Sequence, residues 1–278
     1  MKKLLLIALA AAVATLTHTS ASAQIVALDF ESGITGWTLE TEAGATGTPT
    51  FTTAAGTGAT PTTSGLINSS NNSAPAGFDS PDGLSVPGGY LLNSGGTALD
   101  ATQSISGSFD YQFGTTNNYI GGTFLMGNIT SADGLTGAAG QFVGAAMGRN
   151  TFGNRTFVID GSGDRTGSTG AIDIRDALVW RTVTFTWTPT SGTTGNFEYT
   201  MTNQRSGATN TVSRTGLALA SNEVFFAFGS APSSGDITSD SYFDNINITG
   251  TAVPEPGTFA LLSGCLALTS IMLRRRRD

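Results

Sequence analysis

Aspartate, glutamate and arginine are the only charged side chains in the long central part of this chain. The one histidine, His18, and the one cysteine, Cys265, lie near the two ends of the 278 residues, as do the only lysines, Lys2 and Lys3. Residues 24–252 therefore lack the groups for Ser-His-Asp or Cys-His catalysis, for the usual zinc or haem ligation, for disulfides and for lysine chemistry. The sequence therefore predicts that residues 24–252 are not an enzyme. The enzymatic alternative is glycoside hydrolysis by carboxylates.

Glu40 and Glu42 are the candidate pair for that hydrolysis. They share one face of a predicted strand, and two carboxylates separated by about 5 to 9 Å can cleave a glycosidic bond. The compact strand motif of two Glu with an Asp between them, typical of jelly-roll glucanases, does not occur in the chain. A solvated strand face is the favoured interpretation, because charged pairs usually point outward.

A second group of oxygen ligands lies in Asp160-Gly161-Ser162-Gly163-Asp164. Alternating oxygen side chains are typical of calcium loops, but Arg165 stands where an EF-hand needs glycine and Ala171 where it needs glutamate. Turn composition favours a solvated hairpin turn.

The charge balance restricts the class of partner. Residues 24–252 carry 18 acidic residues against seven arginines, a formal charge of −11. This balance disfavours nucleic acid as a partner, because binding it requires a dense basic surface. An acidic surface is compatible with neutral glycans and with divalent cations.

Short alternating patterns predict an all-β protein with one β-sandwich domain over residues 24–251. Ile105 to Phe113 alternates apolar and polar residues, and so do Val183 to Thr188 and Phe197 to Met201, which a turn at 189–195 joins into a hairpin. About a dozen such strands with Gly-rich turns indicate two packed sheets. Residues 43–88, rich in Thr, Gly and Ser, are predicted as long loops with one or two edge strands.

Three tryptophans are candidates for stacking on sugar rings. Trp37 and Trp187 are predicted in the core, because Trp187 continues an alternating apolar face and large aromatics dominate cores. Trp180 has the opposite strand parity from Trp187. It is therefore the candidate glycan contact.

The N-terminal residues 1–23 predict a secretory signal peptide. Lys2 and Lys3 precede the apolar run Leu4 to Val13, and Ala21-Ser22-Ala23 is a small-residue cleavage site. A secretion translocon and a signal peptidase are the implied partners, and cleavage after Ala23 makes Gln24 the mature N-terminus.

The C-terminal residues 252–278 predict a sorting segment. An apolar run, 258–273, follows Pro254-Glu255-Pro256, and four arginines, Arg274, Arg275, Arg276 and Arg277, follow the run. Sixteen helical residues span about 24 Å, which is short of a hydrocarbon core of about 30 Å. This transmembrane helix can therefore span the membrane only if the bilayer thins locally or the arginines snorkel to the interface. The arginines hold its far end in the cytoplasm and place the preceding domain outside.

This order of Pro-Glu-Pro, short apolar helix and arginine cluster resembles the PEP-CTERM sorting signal of Gram-negative bacteria. The resemblance covers about the last 26 residues of the chain. It implies export, a transient anchor in the inner membrane, and processing near Glu255 by an exosortase, a membrane protease. It also implies association with the extracellular polysaccharide of a biofilm matrix at the cell surface. A permanent membrane anchor is the alternative.

Short segments of the central domain resemble carbohydrate-binding and concanavalin-A-like, laminin-G-like jelly rolls. The segments are Leu28 to Gly33 with Trp37, Trp180 to Phe185, and Tyr242 to Ile248. The resemblance implies a jelly-roll β-sandwich in which the first and last strands often share a structural calcium.

Asp244, Asp29 and Glu31 are the ligands that this resemblance implies. Asp244 shares strand parity with Ile246 and Ile248, so its carboxylate points toward the core if no bulge intervenes. A buried carboxylate needs a cation, an arginine or several N–H donors. No other cofactor is required, and the expected function is that of an exported, structural or glycan-associated protein.

Overall fold

The computed structural model describes residues 23–31, 33–41, 50–55, 63–69, 89–113, 120–131, 140–150, 153–162, 165–169, 179–232 and 239–253. Within these residues the chain forms sixteen strands and no helix. The strands are β1 (Ala23–Leu28), β2 (Thr38–Thr41), β3 (Thr50–Ala55), β4 (Thr63–Ser69), β5 (Gly89–Leu92), β6 (Leu99–Asp100), β7 (Ile105–Phe113), β8 (Ile120–Gly127), β9 (Phe142–Asn150), β10 (Gly153–Asp160), β11 (Arg165–Thr169), β12 (Arg181–Ser191), β13 (Thr194–Asn203), β14 (Thr209–Ala218), β15 (Glu223–Pro232) and β16 (Ser239–Thr251).

The strands form two antiparallel sheets, so the predicted all-β sandwich is confirmed. The first sheet has the order β14-β13-β12-β7-β16-β4-β3, with β1 also paired to β16. The second sheet has the order β11-β10-β9-β8-β15-β5-β2, with β6 also paired to β15. At the centre of each sheet the paired strands, β7 with β16 and β8 with β15, are distant in sequence, as non-local sandwich pairing requires.

Alternation of side chains along β12 shows why these segments form half-buried strands. Val183, Phe185 and Trp187 are buried, while the threonines between them face outward. β13 continues the same pattern after a turn at Gly192, whose φ of 54° suits glycine. The predicted hairpin is confirmed, with a tighter turn than predicted, because pairing extends to Ser191 and Thr194.

The core lies between the sheets and is rich in phenylalanine. The ring centroids of Phe124 and Phe185, from opposite sheets, lie 4.4 Å apart, and those of Phe109 and Phe228 lie 5.1 Å apart in a T-shaped arrangement. Aromatic pairs of this kind add directional contacts to the burial of apolar area. The two sheets are therefore fixed against each other near their centres.

Two strands, β3 and β4, form an edge hairpin in the segment predicted as long loops. β4 pairs with the first part of β16, from Ser239 to Phe243. The prediction of one or two edge strands in residues 43–88 is thus confirmed.

Candidate functional site

The first and last strands of the described domain meet, as their resemblance to jelly-roll strands implied. β1 pairs with β16 from Ala23 opposite Thr251 to Leu28 opposite Ile246. On the same edge of β16, the pairing with β4 ends at Phe243. Asp244 and Asn245 therefore lie in a gap between two partner strands.

An open cleft of about 420 Å³ lies at this gap. The turn after β1 forms one wall and β16 forms the other. The lining residues are Ala27, Leu28, Asp29, Gly33, Thr35, Asn245, Ile246 and Asn247. A carboxylate, two amides and a hydroxyl thus converge on one small volume, which is the usual chemistry of a site for a polar ligand.

Both walls of the cleft contain a residue with a left-handed backbone. Phe30 has a φ of 63° and Asn245 a φ of 50°, and they are the two non-glycine residues with positive φ in the described part of the chain. The Phe30 side chain is buried in the core, which holds the turn in place. Costly backbone conformations cluster at ligand sites because the surrounding structure must enforce them there.

The side chain of Asn245 is fixed from behind by Asp110. Asn245 Nδ2 donates to Asp110 Oδ2 at 2.9 Å. Asp110 Oδ1 also accepts from Thr182 Oγ1 at 2.7 Å and from Gln204 Nε2 at 3.0 Å. Because the Asn245 amide nitrogen is held by a carboxylate, its orientation in the cleft wall is set before any ligand arrives.

Asp244 is fully buried, but the condition of the parity argument, that no bulge intervenes, is not met. The pairing of β16 with β7 shifts register between Asp244 and Asn247, which is a β-bulge. As a result Phe243, not Asp244, belongs to the core cluster together with Ile246 and Ile248. Asp244 lies opposite Asp110, and its Oδ1 accepts the backbone N–H of Asn245 at 2.7 Å.

The predicted calcium ligands come to the same region without forming a cluster. Asp29 Oδ1 accepts the backbone N–H of Glu31 at 3.1 Å, and both residues are exposed, whereas Asp244 is buried. Among the described residues, no group of three or more His, Cys, Asp or Glu side chains is arranged to hold a metal ion. Calcium binding by this set stays a prediction.

The other carboxylate candidates have different outcomes. Asp160 ends β10, accepts from the backbone N–H of Ser162 at 2.9 Å and pairs with Arg214 Nη1 at 3.0 Å, so the predicted hairpin turn is confirmed. Glu40 lies half-buried on β2. Glu42 lies outside the described residues, so their pairing stays untested.

The tryptophans lie where the sequence predicted. Trp37 packs against Phe228 in the core, with ring centroids 5.7 Å apart. Trp187 is fully buried, and its Nε1 donates to the backbone oxygen of Ala101 at 2.8 Å. Trp180 is half-buried immediately before β12, so it remains a candidate glycan contact.

The predicted end signals lie largely outside the described residues. Ala23 is the first residue of β1, whereas the rest of the signal peptide and the whole of 254–278, with Glu255 and the four arginines, are not described. Within the part that the structure does describe, no helix has the length and apolar character needed to cross a membrane.

Sequence reasoning missed Asn245, Asn247 and Asp110 as parts of a site. Asn245 offered a signal, because asparagine is several-fold enriched among non-glycine residues with positive φ. Asp110 offered none, since an outward carboxylate on an alternating strand looks like any solvated residue.

No protein-family model and no curated protein matches the chain. Solved structures of lectins are similar to it. The peanut lectin, solved with a nine-residue peptide, has a TM-score of 0.55 at 13% identity and covers 84% of this chain and 100% of its own. A lectin from Bauhinia forficata, solved with GalNAc, has a TM-score of 0.53 at 13% identity, with the same coverage of both chains.

A third similar structure is lectin I-B4 from Griffonia simplicifolia, solved in a metal-free form. Its TM-score is 0.54 at 11% identity, and the match covers 80% of this chain and 98% of the lectin. At these identities the likeness shows the fold, so the two sheets form a lectin-type jelly-roll sandwich.

Proposed function

We propose that this chain is an exported, non-catalytic protein that binds glycans in the cleft between the turn after β1 and the bulge of β16. The observation that carries the proposal is the convergence of Asp29, Asn245 and Asn247 on one cleft whose two walls hold the left-handed residues. Carboxylate and amide groups recognise sugar hydroxyls by hydrogen bonds, and the strained walls fix them in advance.

The structural neighbours support the choice of a glycan. They share the jelly-roll sandwich, and the Bauhinia forficata lectin was solved in complex with GalNAc. Export, processing at Glu255 and delivery to the surface or matrix polysaccharide of a Gram-negative-type bacterium belong to the same proposal. They rest on the two end segments of the sequence.

Titration with neutral sugars tests the cleft. The full chain is mixed with GalNAc, galactose and glucose oligosaccharides, and binding is followed by isothermal calorimetry. We expect saturable binding to at least one sugar, and an affinity that falls roughly tenfold or more in Asp29→Ala and in Asn247→Ala, because a lost partner leaves a sugar hydroxyl unsatisfied. Asn222→Ala, an exposed asparagine outside the cleft, is the matched control.

Two results would contradict this proposal. No saturable binding to any sugar, or affinities that are unchanged in both cleft variants, would exclude the cleft. Release of reducing sugar that is lost in Glu40→Gln would instead establish the hydrolase alternative. Trp180→Ala is a further variant, which lowers the affinity if the half-buried indole also contacts the glycan.

A further inference from the structure

The outward face of the first sheet is a regular array of hydroxyl side chains. We name it the hydroxyl face and define it by residues on β7, β12, β13 and β14: Ser106, Ser108, Thr182, Thr184, Thr186, Thr200, Thr202, Thr209, Thr211 and Ser213. All ten are exposed or half-buried, while the residues between them on β12 and β13 point into the core.

The strand register places these hydroxyls in straight rows. One row runs from Ser108 through Thr184 and Thr200 to Thr211, and the next from Ser106 through Thr186 and Glu198 to Ser213. Neighbouring strands lie about 4.8 Å apart, and outward residues on one strand repeat about every 6.8 Å. The result is a two-dimensional lattice with Glu198 as the charged member of these two rows.

The hydroxyls of the lattice are held in place. Threonine is β-branched, so its χ1 angle is restricted and its hydroxyl and methyl groups keep fixed positions on a strand. Thr200 Oγ1 and Thr211 Oγ1 lie 2.7 Å apart, and Ser106 Oγ lies 3.3 Å from Thr249 Oγ1. The face therefore loses little side-chain entropy when it meets a ligand.

The outward faces of the two sheets differ in exposure. The outward positions of the second sheet carry a separate apolar cluster that is buried within this chain, formed by Tyr90, Leu92, Leu125, Ile129, Phe142 and Ala227. The hydroxyl face of the first sheet is instead exposed or half-buried. Its side chains are therefore open to a polar partner.

The chemistry of the hydroxyl face restricts that partner. Each hydroxyl that exchanges a water for a ligand group contributes little net free energy, so a small ligand gains little here. A stiff polymer with repeated hydrogen-bonding groups meets many hydroxyls at once and has little entropy to lose. The charged side chains in the rows of this face are two carboxylates, Asp110 and Glu198, and the chain as a whole is acidic, so the face favours a neutral polymer over a polyanion.

We infer that the hydroxyl face is a second binding surface, which takes the flat side of a neutral, hydroxyl-rich polysaccharide. The face adjoins the cleft, because Asn247 lies opposite Ser108 at the end of the Ser108 row. One polymer can therefore contact both. The inference rests on the proposed function in its choice of a polysaccharide, and the experiment below separates the two.

Sedimentation with insoluble neutral glucans tests the face. The full chain is mixed with cellulose and curdlan particles, and the bound fraction gives a partition constant. In the triple variant Thr184→Val, Thr200→Val, Thr211→Val we expect this constant to fall roughly ten- to hundredfold, because three hydrogen bonds are lost. Valine keeps the shape and strand propensity of threonine, and circular dichroism checks the fold.

Matched variants separate the face from the cleft. Thr38→Val, Thr130→Val, Thr166→Val replaces three exposed threonines outside the face and keeps particle binding. Asp29→Ala weakens soluble sugar binding in the cleft and leaves particle binding within about threefold, since the lattice supplies most contacts. Particle binding without any soluble sugar binding supports the face and refutes the cleft.

Three results would overturn the inference. The first would be that the triple valine variant sediments with the particles as the unchanged chain does. The second would be that the chain binds alginate gel, a polyuronate, as well as it binds the neutral glucans. The third would be that the unchanged chain forms a dimer in analytical ultracentrifugation and the triple variant does not, which would assign the face to a second copy of this chain.

Discussion

At the scale of single residues, two buried tyrosines, Tyr111 and Tyr199, contribute to how stability responds to alkaline pH. The Tyr111 hydroxyl lies 3.3 Å from Ser241 Oγ, and the Tyr199 hydroxyl donates to the backbone oxygen of Ala146 at 3.4 Å. Burial raises the pKa of both phenols far above the ordinary value, because a phenolate between the sheets would lose its hydration. The bond to Ser241 and the charge of Arg181 lower the Tyr111 pKa by less than burial raises it.

We predict that stability is constant below about pH 10 with respect to these two groups and falls above it. Above that pH the unfolded chain loses phenolic protons that the folded chain keeps, so the unfolded state binds fewer protons and is favoured. Each tyrosine contributes a slope of roughly 1.4 kcal/mol per pH unit to the free energy of unfolding. Urea denaturation at several pH values between about 8 and 11.5 measures this slope.

Single phenylalanine variants assign the slope. Tyr111→Phe and Tyr199→Phe each remove one titrating group. Each variant should therefore reduce the alkaline slope of the free energy of unfolding by roughly 1.4 kcal/mol per pH unit. Measurements at pH 8, where neither phenol ionises, separate the lost hydrogen bond from the lost titration. Slopes identical to that of the unchanged chain in both variants would contradict the assignment.

At the scale of elements, the bulge of β16 gives the last strand its role in the cleft. Alternation predicted Asp244 and Ile246 on one face, and the extra residue moves Phe243 into the core instead. A bulge depends on pairing with β7, β4 and β1, which are far away in sequence, so a pattern within one strand cannot contain it. The alternating strands themselves were predictable, because their period is local.

We predict that Asn245→Ala lowers the free energy of unfolding by about 1–3 kcal/mol and that Asn245→Gly lowers it by about 1 kcal/mol less. Both variants lose the hydrogen bond to Asp110, but glycine accepts a φ of 50° without strain. Chemical denaturation of both variants gives the difference. At the control position Asn222 we expect the Gly variant to be no more stable than the Ala variant, since Asn222 is not among the residues with positive φ. Equal stabilities of the two Asn245 variants would show that the backbone there is not strained.

At the scale of the whole molecule, the sequence predicted the two-sheet architecture and left the site incomplete. The core tryptophans and the meeting of the first and last strands follow from composition, period and short resemblances, whereas about a dozen strands were predicted and the described residues form sixteen. The approach of Asp110 to Asn245 joins residues 135 positions apart, and only the sheet order brings them together. The same order creates the hydroxyl face, because strands β7 and β12, distant in sequence, are neighbours in the sheet.

Both ends of the described domain leave from one place in the fold. Ala23 lies opposite Thr251, and the backbone N–H of Val253 donates to the oxygen of Ala98 at 3.0 Å. Cleavage after Ala23 and cleavage near Glu255 would therefore leave the pairing from Gln24 to Leu28 intact. Processing at the two predicted sites is compatible with a folded domain.

We predict that the chain recovered from the cell surface of a bacterium with an exosortase begins at Gln24 and ends near Glu255. Mass spectrometry of its terminal peptides is the measurement. Because no strand pair between Gln24 and Gly250 is lost, the trimmed protein keeps the thermal midpoint of the domain. A variant with Pro254→Ala, Glu255→Ala and Pro256→Ala should retain the Arg277-Asp278 end. A surface chain that still carries Arg277-Asp278 without these substitutions would refute processing and favour a permanent anchor.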